Sequence, residues 1–78
     1  MNLNHINVRY TSEMSEDRQG GSATLSLLAT SRNSTVTVAK ITFWDAVGQF
    51  FLEPTTEEIP LVVLEALIAE VKERIKLT

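Results

Sequence analysis

The chain has 78 residues, a formal net charge of −3, a pI near 5.0 and no cysteine. A chain of this length builds one hydrophobic core, so we expect a single domain over residues 1–78. The lack of cysteine excludes a disulfide framework and a cysteine-based zinc site, and it favours a cytoplasmic location. The acidic balance disfavours nucleic acid as a partner, and no apolar stretch reaches the roughly 20 residues that span a bilayer, so we expect no membrane partner either.

The first third of the chain predicts one strand, a loop and a second strand. Ile6, Val8 and Tyr10 alternate with polar residues, which is typical of a strand with one buried face. Residues 11–21 are mostly polar and end in two glycines, which predicts a long surface loop. Over residues 23–30 every second residue is apolar and the positions between are polar apart from Leu28, so one face is more apolar than the other, which predicts the second strand.

Two more strands follow. Residues 31–34 are small or polar turn formers, and the β-branched residues after them predict a third strand that forms a hairpin with the second. Residues 45–48 suit a tight connection, and residues 49–53 predict a fourth strand that ends at Pro54.

The third predicted strand changes its pattern part of the way along. Val36 and Val38 share one parity, whereas the large residues Ile41 and Phe43 share the other. Two interpretations stay open at this point. A bulge near residues 39–40 would swap the faces of the strand, and burial of both faces would explain the same pattern without a bulge.

The last third of the chain predicts an amphipathic helix. Thr55 and Thr56 are candidate N-caps, and Pro60 fits best in the first turn, where its missing N–H is not needed. A stripe of large aliphatic residues at three-four spacing predicts the face that packs on the sheet: Leu61, Leu64, Ile68, Val71 and Ile75. The predicted fold is therefore α+β, a four-stranded antiparallel meander sheet with one C-terminal helix packed on one face.

The sequence offers few residues for chemistry. His5 is the single histidine, and it is predicted on the polar side of the first strand, without the orienting partner that a general base needs. Glu13, Glu16 and Asp17 lie close together but do not have the spacing of a calcium-binding loop. We therefore predict no catalytic residue, no cofactor-binding residue and no metal ligand, and we expect that the protein is not an enzyme.

Apolar side chains on both parities of the third and fourth strands exceed what one short helix can cover. This surplus predicts a small acidic protein-interaction domain, a binding or inhibitor protein or an accessory subunit, that forms a homodimer. A different protein partner remains an alternative, as do nucleic-acid binding through the sheet face and a small-molecule or enzymatic role around His5. The predicted interface comprises the smooth side of the helix and two aromatic residues: Val62, Val63, Ala66, Ala69, Trp44 and Phe51.

Overall fold

A computed structural model describes residues 1–55 and 58–75. The fold is α+β, as predicted, and its antiparallel sheet is a meander with the spatial order β1-β2-β3-β4-β5. The sheet has five strands rather than the predicted four. Among the described residues there is one helix, and it is not long and apolar enough to cross a membrane. The elements are β1 (Asn2–His5), β2 (Val8–Asp17), β3 (Ser22–Ser31), β4 (Ser34–Trp44), β5 (Gln49–Pro54) and α1 (Leu61–Arg74).

The additional strand arises because the predicted first strand contains a tight turn. Ile6 and Asn7 have φ angles of +43° and +63°, and they connect β1 to β2 as a two-residue hairpin. Both central residues of such a turn need positive φ, which suits Asn but strains a β-branched residue such as Ile. The turn reverses the chain, so His5 pairs with Val8 and lies on the same face of the sheet, contrary to its predicted place on a polar face.

The predicted long loop over residues 11–21 is also wrong, because β2 continues through most of it. Met14 pairs with Leu25, and Asp17, the last residue of β2, pairs with Ser22. Only residues 18–21 form the turn. The polar side chains of this segment have no strand pattern of their own, and the ladder to β3 supplies the backbone hydrogen bonds that hold them extended.

The change of parity in the third predicted strand is a bulge. Leu27 pairs with Ala39 and Leu28 pairs with Thr37, so Val38 is an extra residue in β4. The bulge lies one residue before the predicted position. It brings Ile41 onto the same face as the first half of the strand, and both Val38 and Ala39 are buried.

The predicted stripe of the helix packs on the sheet only in part: Val71 is buried and Leu64 and Ile75 contact the core, but the centre of the buried face lies to one side of the stripe. Val63, Leu67 and Val71 are the fully buried residues of α1, whereas Leu61 is 69% exposed and Ile68 is 37% exposed. The α1 residues pack against a sheet core that includes Tyr10, Leu25, Leu27, Val38, Ala39 and Ile41. The helix is therefore rotated about its axis relative to the predicted stripe, and part of that stripe faces solvent.

The helix begins at Leu61, close to the predicted start near Pro60, but Pro60 precedes the first turn instead of lying within it. Pro60 is the N-cap residue, and its carbonyl oxygen accepts hydrogen bonds from the N–H groups of Val63 and Leu64 at 3.0 and 3.1 Å. Thr55 is not an N-cap, because its hydroxyl donates to the carbonyl oxygen of Val38 at 3.0 Å. The other candidate cap, Thr56, lies outside the described residues.

Candidate functional site

The strand register divides the sheet into two faces. The helix face carries Leu25 and Leu27 of β3 together with their cross-strand partners, and α1 covers its centre. The open face carries the alternate residues, which have no helix over them in the described chain. Because paired residues of an antiparallel sheet share a face, Phe50 and Leu52 of β5 belong to the helix face and Phe51 to the open face.

The helix does not reach the outer edge of the helix face, and an apolar groove remains between α1 and β5. Phe50 lines the groove on its β5 side. Its ring packs against the ring of Phe43, with 5.0 Å between the ring centroids. The groove has a volume of about 220 Å³. Its lining is apolar apart from one lysine: Ile41, Phe50, Phe51, Leu52, Ile68, Val71 and Lys72.

The aliphatic side chains that form the walls of this groove are more exposed than side chains of the core. Leu52 of β5 is 48% exposed and Ile68 of α1 is 37% exposed. Both belong to the side of the molecule where the rotation of α1 leaves part of the predicted stripe uncovered. Covering a half-exposed Leu or Ile contributes about 1 kcal/mol, so the groove favours an apolar occupant.

The residues predicted for the interface do not form one surface. Phe51 borders the groove and is 46% exposed, and Trp44 lies near it at the end of β4 on the open face. Val62, Ala66 and Ala69 lie on α1 away from the groove, on the side that borders β1, with Ala66 and Ala69 beside Met1.

Val63 requires a correction. It is fully buried beneath the helix, because the rotation of α1 turns it toward the sheet in place of Leu61. Its side chain is not available at the surface. The predicted interface therefore separates into an aromatic part near the groove, a helix flank on the opposite side and one core residue.

The open face is mostly polar and has mixed charge. Thr24 and Thr42 share a hydrogen bond of 3.0 Å between their hydroxyl groups, and Thr30 and Thr35 share one of 2.9 Å. Two basic and three acidic side chains belong to this face: Arg9, Lys40, Glu13, Asp17 and Glu53. Nucleic-acid backbones select clustered positive charge, and this face does not present it.

A polar cluster joins the helix to β1 and β2, at the opposite edge of the sheet from the groove. The Glu70 carboxylate accepts hydrogen bonds from the Ser12 hydroxyl at 2.8 and 2.9 Å, and it lies 3.3 Å from the N-terminal ammonium of Met1. Arg74, one turn along the helix, approaches the same carboxylate at 3.0 Å. The Glu70 side chain is only 14% exposed, so this cluster is a partly buried anchor of β1 and β2 rather than an open site.

His5 and the acidic residues of β2 do not form a chemical site in the described residues. His5 is half-buried in β1, and within residues 1–55 and 58–75 its ring has no hydrogen-bond or ion-pair partner. Glu16 and Asp17 are exposed near the end of β2, and Glu16 pairs loosely with Arg18 at 4.0 Å. No group of three or more potential metal ligands occurs among the described residues.

Two groove residues, Leu52 and Ile68, were not in the predicted interface. The sequence places Ile68 in the aliphatic stripe that is predicted to pack on the sheet, so the pattern assigns it to the core rather than to a surface. The exposure of Leu52 could not be predicted from the sequence near it, because it depends on how far α1 extends across the width of the sheet. Comparisons of the chain with protein-family models, with curated proteins and with solved structures found no match.

Proposed function

We propose that this chain is a non-enzymatic protein-interaction domain that self-associates through the groove between α1 and β5. The observation that carries the proposal is the pairing of Leu52 and Ile68, two half-exposed aliphatic residues that face each other across an apolar groove at the edge of the sheet. Scattered apolar residues are ordinary on a protein surface, whereas a groove with an apolar floor and two apolar walls favours a partner.

A second copy of the same chain is the partner that needs the fewest further assumptions. Twofold homodimers are the commonest assemblies of soluble proteins, and they place one surface patch against itself. The groove has a single charged side chain, Lys72, which is exposed. A lysine can lay its aliphatic stem along apolar groups while its ammonium stays in water. Self-contact of this patch therefore buries apolar walls with a small penalty for desolvating charge.

The cysteine-free composition supports a cytoplasmic setting, and we infer one for the assembly. An interaction domain of this kind acts through what it occupies, as an inhibitor or as an accessory subunit. In either role the groove residues carry the binding, and the dimer and a complex with another protein compete for the same surface.

Light scattering over micromolar to millimolar concentrations tests the proposal. We expect a mass that rises to twice the 8.7 kDa of the monomer. Replacing Leu52 with lysine should weaken association at least tenfold, about 1.4 kcal/mol, because it places a second charge in the groove. Val36→Lys is the matched control, since Val36 is 50% exposed, is also aliphatic and lies at the β3–β4 hairpin, away from the groove.

Three outcomes of this experiment are informative. A concentration-dependent dimer that Leu52→Lys weakens and Val36→Lys preserves supports the proposal. A monomer over the whole range contradicts self-association, and equal effects of the two variants contradict the assignment to the groove.

A further inference from the structure

The outer edge of β5 has a free set of backbone hydrogen-bonding groups. The N–H of Thr55 donates to the carbonyl oxygen of Val38 at 3.2 Å, which fixes the alternation of hydrogen-bonded pairs along β4 and β5. By that alternation, Phe51 directs its main-chain groups toward β4. Phe50 and Leu52 direct theirs away from β4, where no strand lies within the described residues.

We propose that two copies of this chain join by antiparallel pairing of their β5 strands, with the twofold axis at Phe51, to form one continuous ten-stranded sheet. The inference rests on the proposed self-association and specifies its geometry. In this register Phe50 of each copy lies opposite Leu52 of the other, and the two residues exchange N–H to carbonyl hydrogen bonds. Pro54 lies at the next outward position and has no N–H, so it limits the pairing to the apolar part of the strand.

The side chains of β5 complement themselves in this register. On the helix face, Phe50 meets Leu52 of the second copy, which places apolar groups beside each groove. On the open face, Phe51 meets its own symmetry mate, and Gln49 meets Glu53, so no like charges lie opposite each other.

The neighbouring register is less favourable. If the axis passed through Leu52, then Phe51 would lie opposite Glu53 of the second copy, and each phenyl ring would meet a carboxylate. Aromatic pairs and aromatic–aliphatic pairs stabilise opposing strands, whereas a carboxylate against a ring loses hydration without gaining a partner. The sequence of β5 therefore favours the axis at Phe51 over the axis at Leu52.

Cysteine cross-linking tests this geometry, since the chain has no cysteine of its own. In a non-hydrogen-bonded antiparallel pair the two Cα atoms are about 4.5 Å apart, within the range that a disulfide spans. We expect Phe51→Cys to form a disulfide-linked dimer in high yield under mild oxidation. Glu53→Cys is the matched control, because its two copies would be separated by about 14 Å along the strands and should stay unlinked.

A mixture of Gln49→Cys and Glu53→Cys proteins provides the second arm and keeps Phe51 in place, so it remains informative if Phe51→Cys fails to fold. These two positions lie opposite each other in the proposed register, and we expect a mixed disulfide that non-reducing electrophoresis and mass spectrometry identify. Two results would overturn the inference. One is a disulfide between two copies of Glu53→Cys. The other is that neither Phe51→Cys nor the mixture forms a disulfide. Light scattering of the unmodified protein separates the two failures, because a dimer that does not cross-link in this pattern retains the proposed function and rejects only the β5 geometry.

Discussion

The two edges of the sheet differ in how they are protected. β1 has four residues, carries Asn2, Asn4 and His5, and lies beside the Glu70 cluster that fastens this side to the helix. β5 has six residues, carries Phe50, Phe51 and Leu52, and its side chains make no hydrogen bond within the described residues.

An exposed strand edge is a template for pairing with another chain, and proteins protect such edges with short strands, polar side chains or proline. The β1 edge is protected by its short length and its polar residues. The β5 edge has proline only at its end. This asymmetry is the reason why the proposed interaction surface lies at β5 rather than at β1.

The largest effect is expected from removing the anchor of the β1 side. Glu70→Ala deletes the carboxylate that accepts hydrogen bonds from Ser12 and faces the Met1 ammonium and Arg74. Because these partners are partly buried, we expect the free energy of unfolding to fall by about 2–3 kcal/mol. Urea denaturation followed by circular dichroism measures the change.

Glu73→Ala is the control, since Glu73 lies on the same flank of α1 but is exposed. Because the Glu70 cluster and β5 lie at opposite edges of the sheet, we also expect Glu70→Ala to leave the dimer dissociation constant unchanged under conditions where the variant is folded. Equal losses of stability for the two variants would show that the cluster is not an anchor. Loss of the dimer in a folded Glu70→Ala protein would mean that the two edges are not independent.

A smaller effect is expected at the turn that leads out of β1. Ile6 is 80% exposed and has a φ of +43°, so it strains the backbone and contributes little packing. Replacing it with glycine should raise the free energy of unfolding by about 0.5–1.5 kcal/mol, because glycine adopts this conformation without steric cost. Thermal unfolding measures the gain.

Arg32→Gly is a matched comparison in the β3–β4 turn, where Arg32 has a φ of +49°. Arginine is not β-branched, so it is less strained there and its replacement should stabilise the protein less. A loss of stability in Ile6→Gly would show that the exposed side chain of Ile6 contributes more than the strain costs.

The fold was largely predictable because local pattern and tertiary structure agree in most elements. The β3–β4 hairpin, β5 and the helix beginning after Pro60 all have clear alternation, turn residues or helical spacing. The β1–β2 turn was missed because Ile6 is among the residues least suited to positive φ, so its alternation with Val8 indicated a continuous strand. The far half of β2 was missed because its extended form depends on pairing with β3.

The candidate site was only partly predictable. Phe51 was in the predicted interface because the adjacent Phe50 and Phe51 place aromatic rings on both faces of one strand, whatever the rest of the fold. The groove itself depends on the rotation of α1, and the helix sequence does not determine that rotation, since apolar residues extend around much of its N-terminal half. Val63 and Leu61 exchange places between core and surface for this reason.

The smallest effect is expected on the flank of α1 that borders β1, and it separates the sequence-based interface from the structural one. The sequence predicts that an aspartate at Val62 weakens association, because Val62 belongs to a smooth apolar patch with Ala66 and Ala69. In the structure this patch lies across the helix from the groove, and Val62 is 55% exposed. If pairing occurs at β5, Val62→Asp changes neither the apolar walls nor the strand edge, so we expect the dissociation constant to change by less than about twofold, under 0.5 kcal/mol. Sedimentation equilibrium of Val62→Asp beside Leu52→Lys gives the comparison directly. A strong effect at Val62 with none at Leu52 would move the interface to the β1 side of the helix, and would mean that the exposed edge of β5 is left unpaired in the dimer.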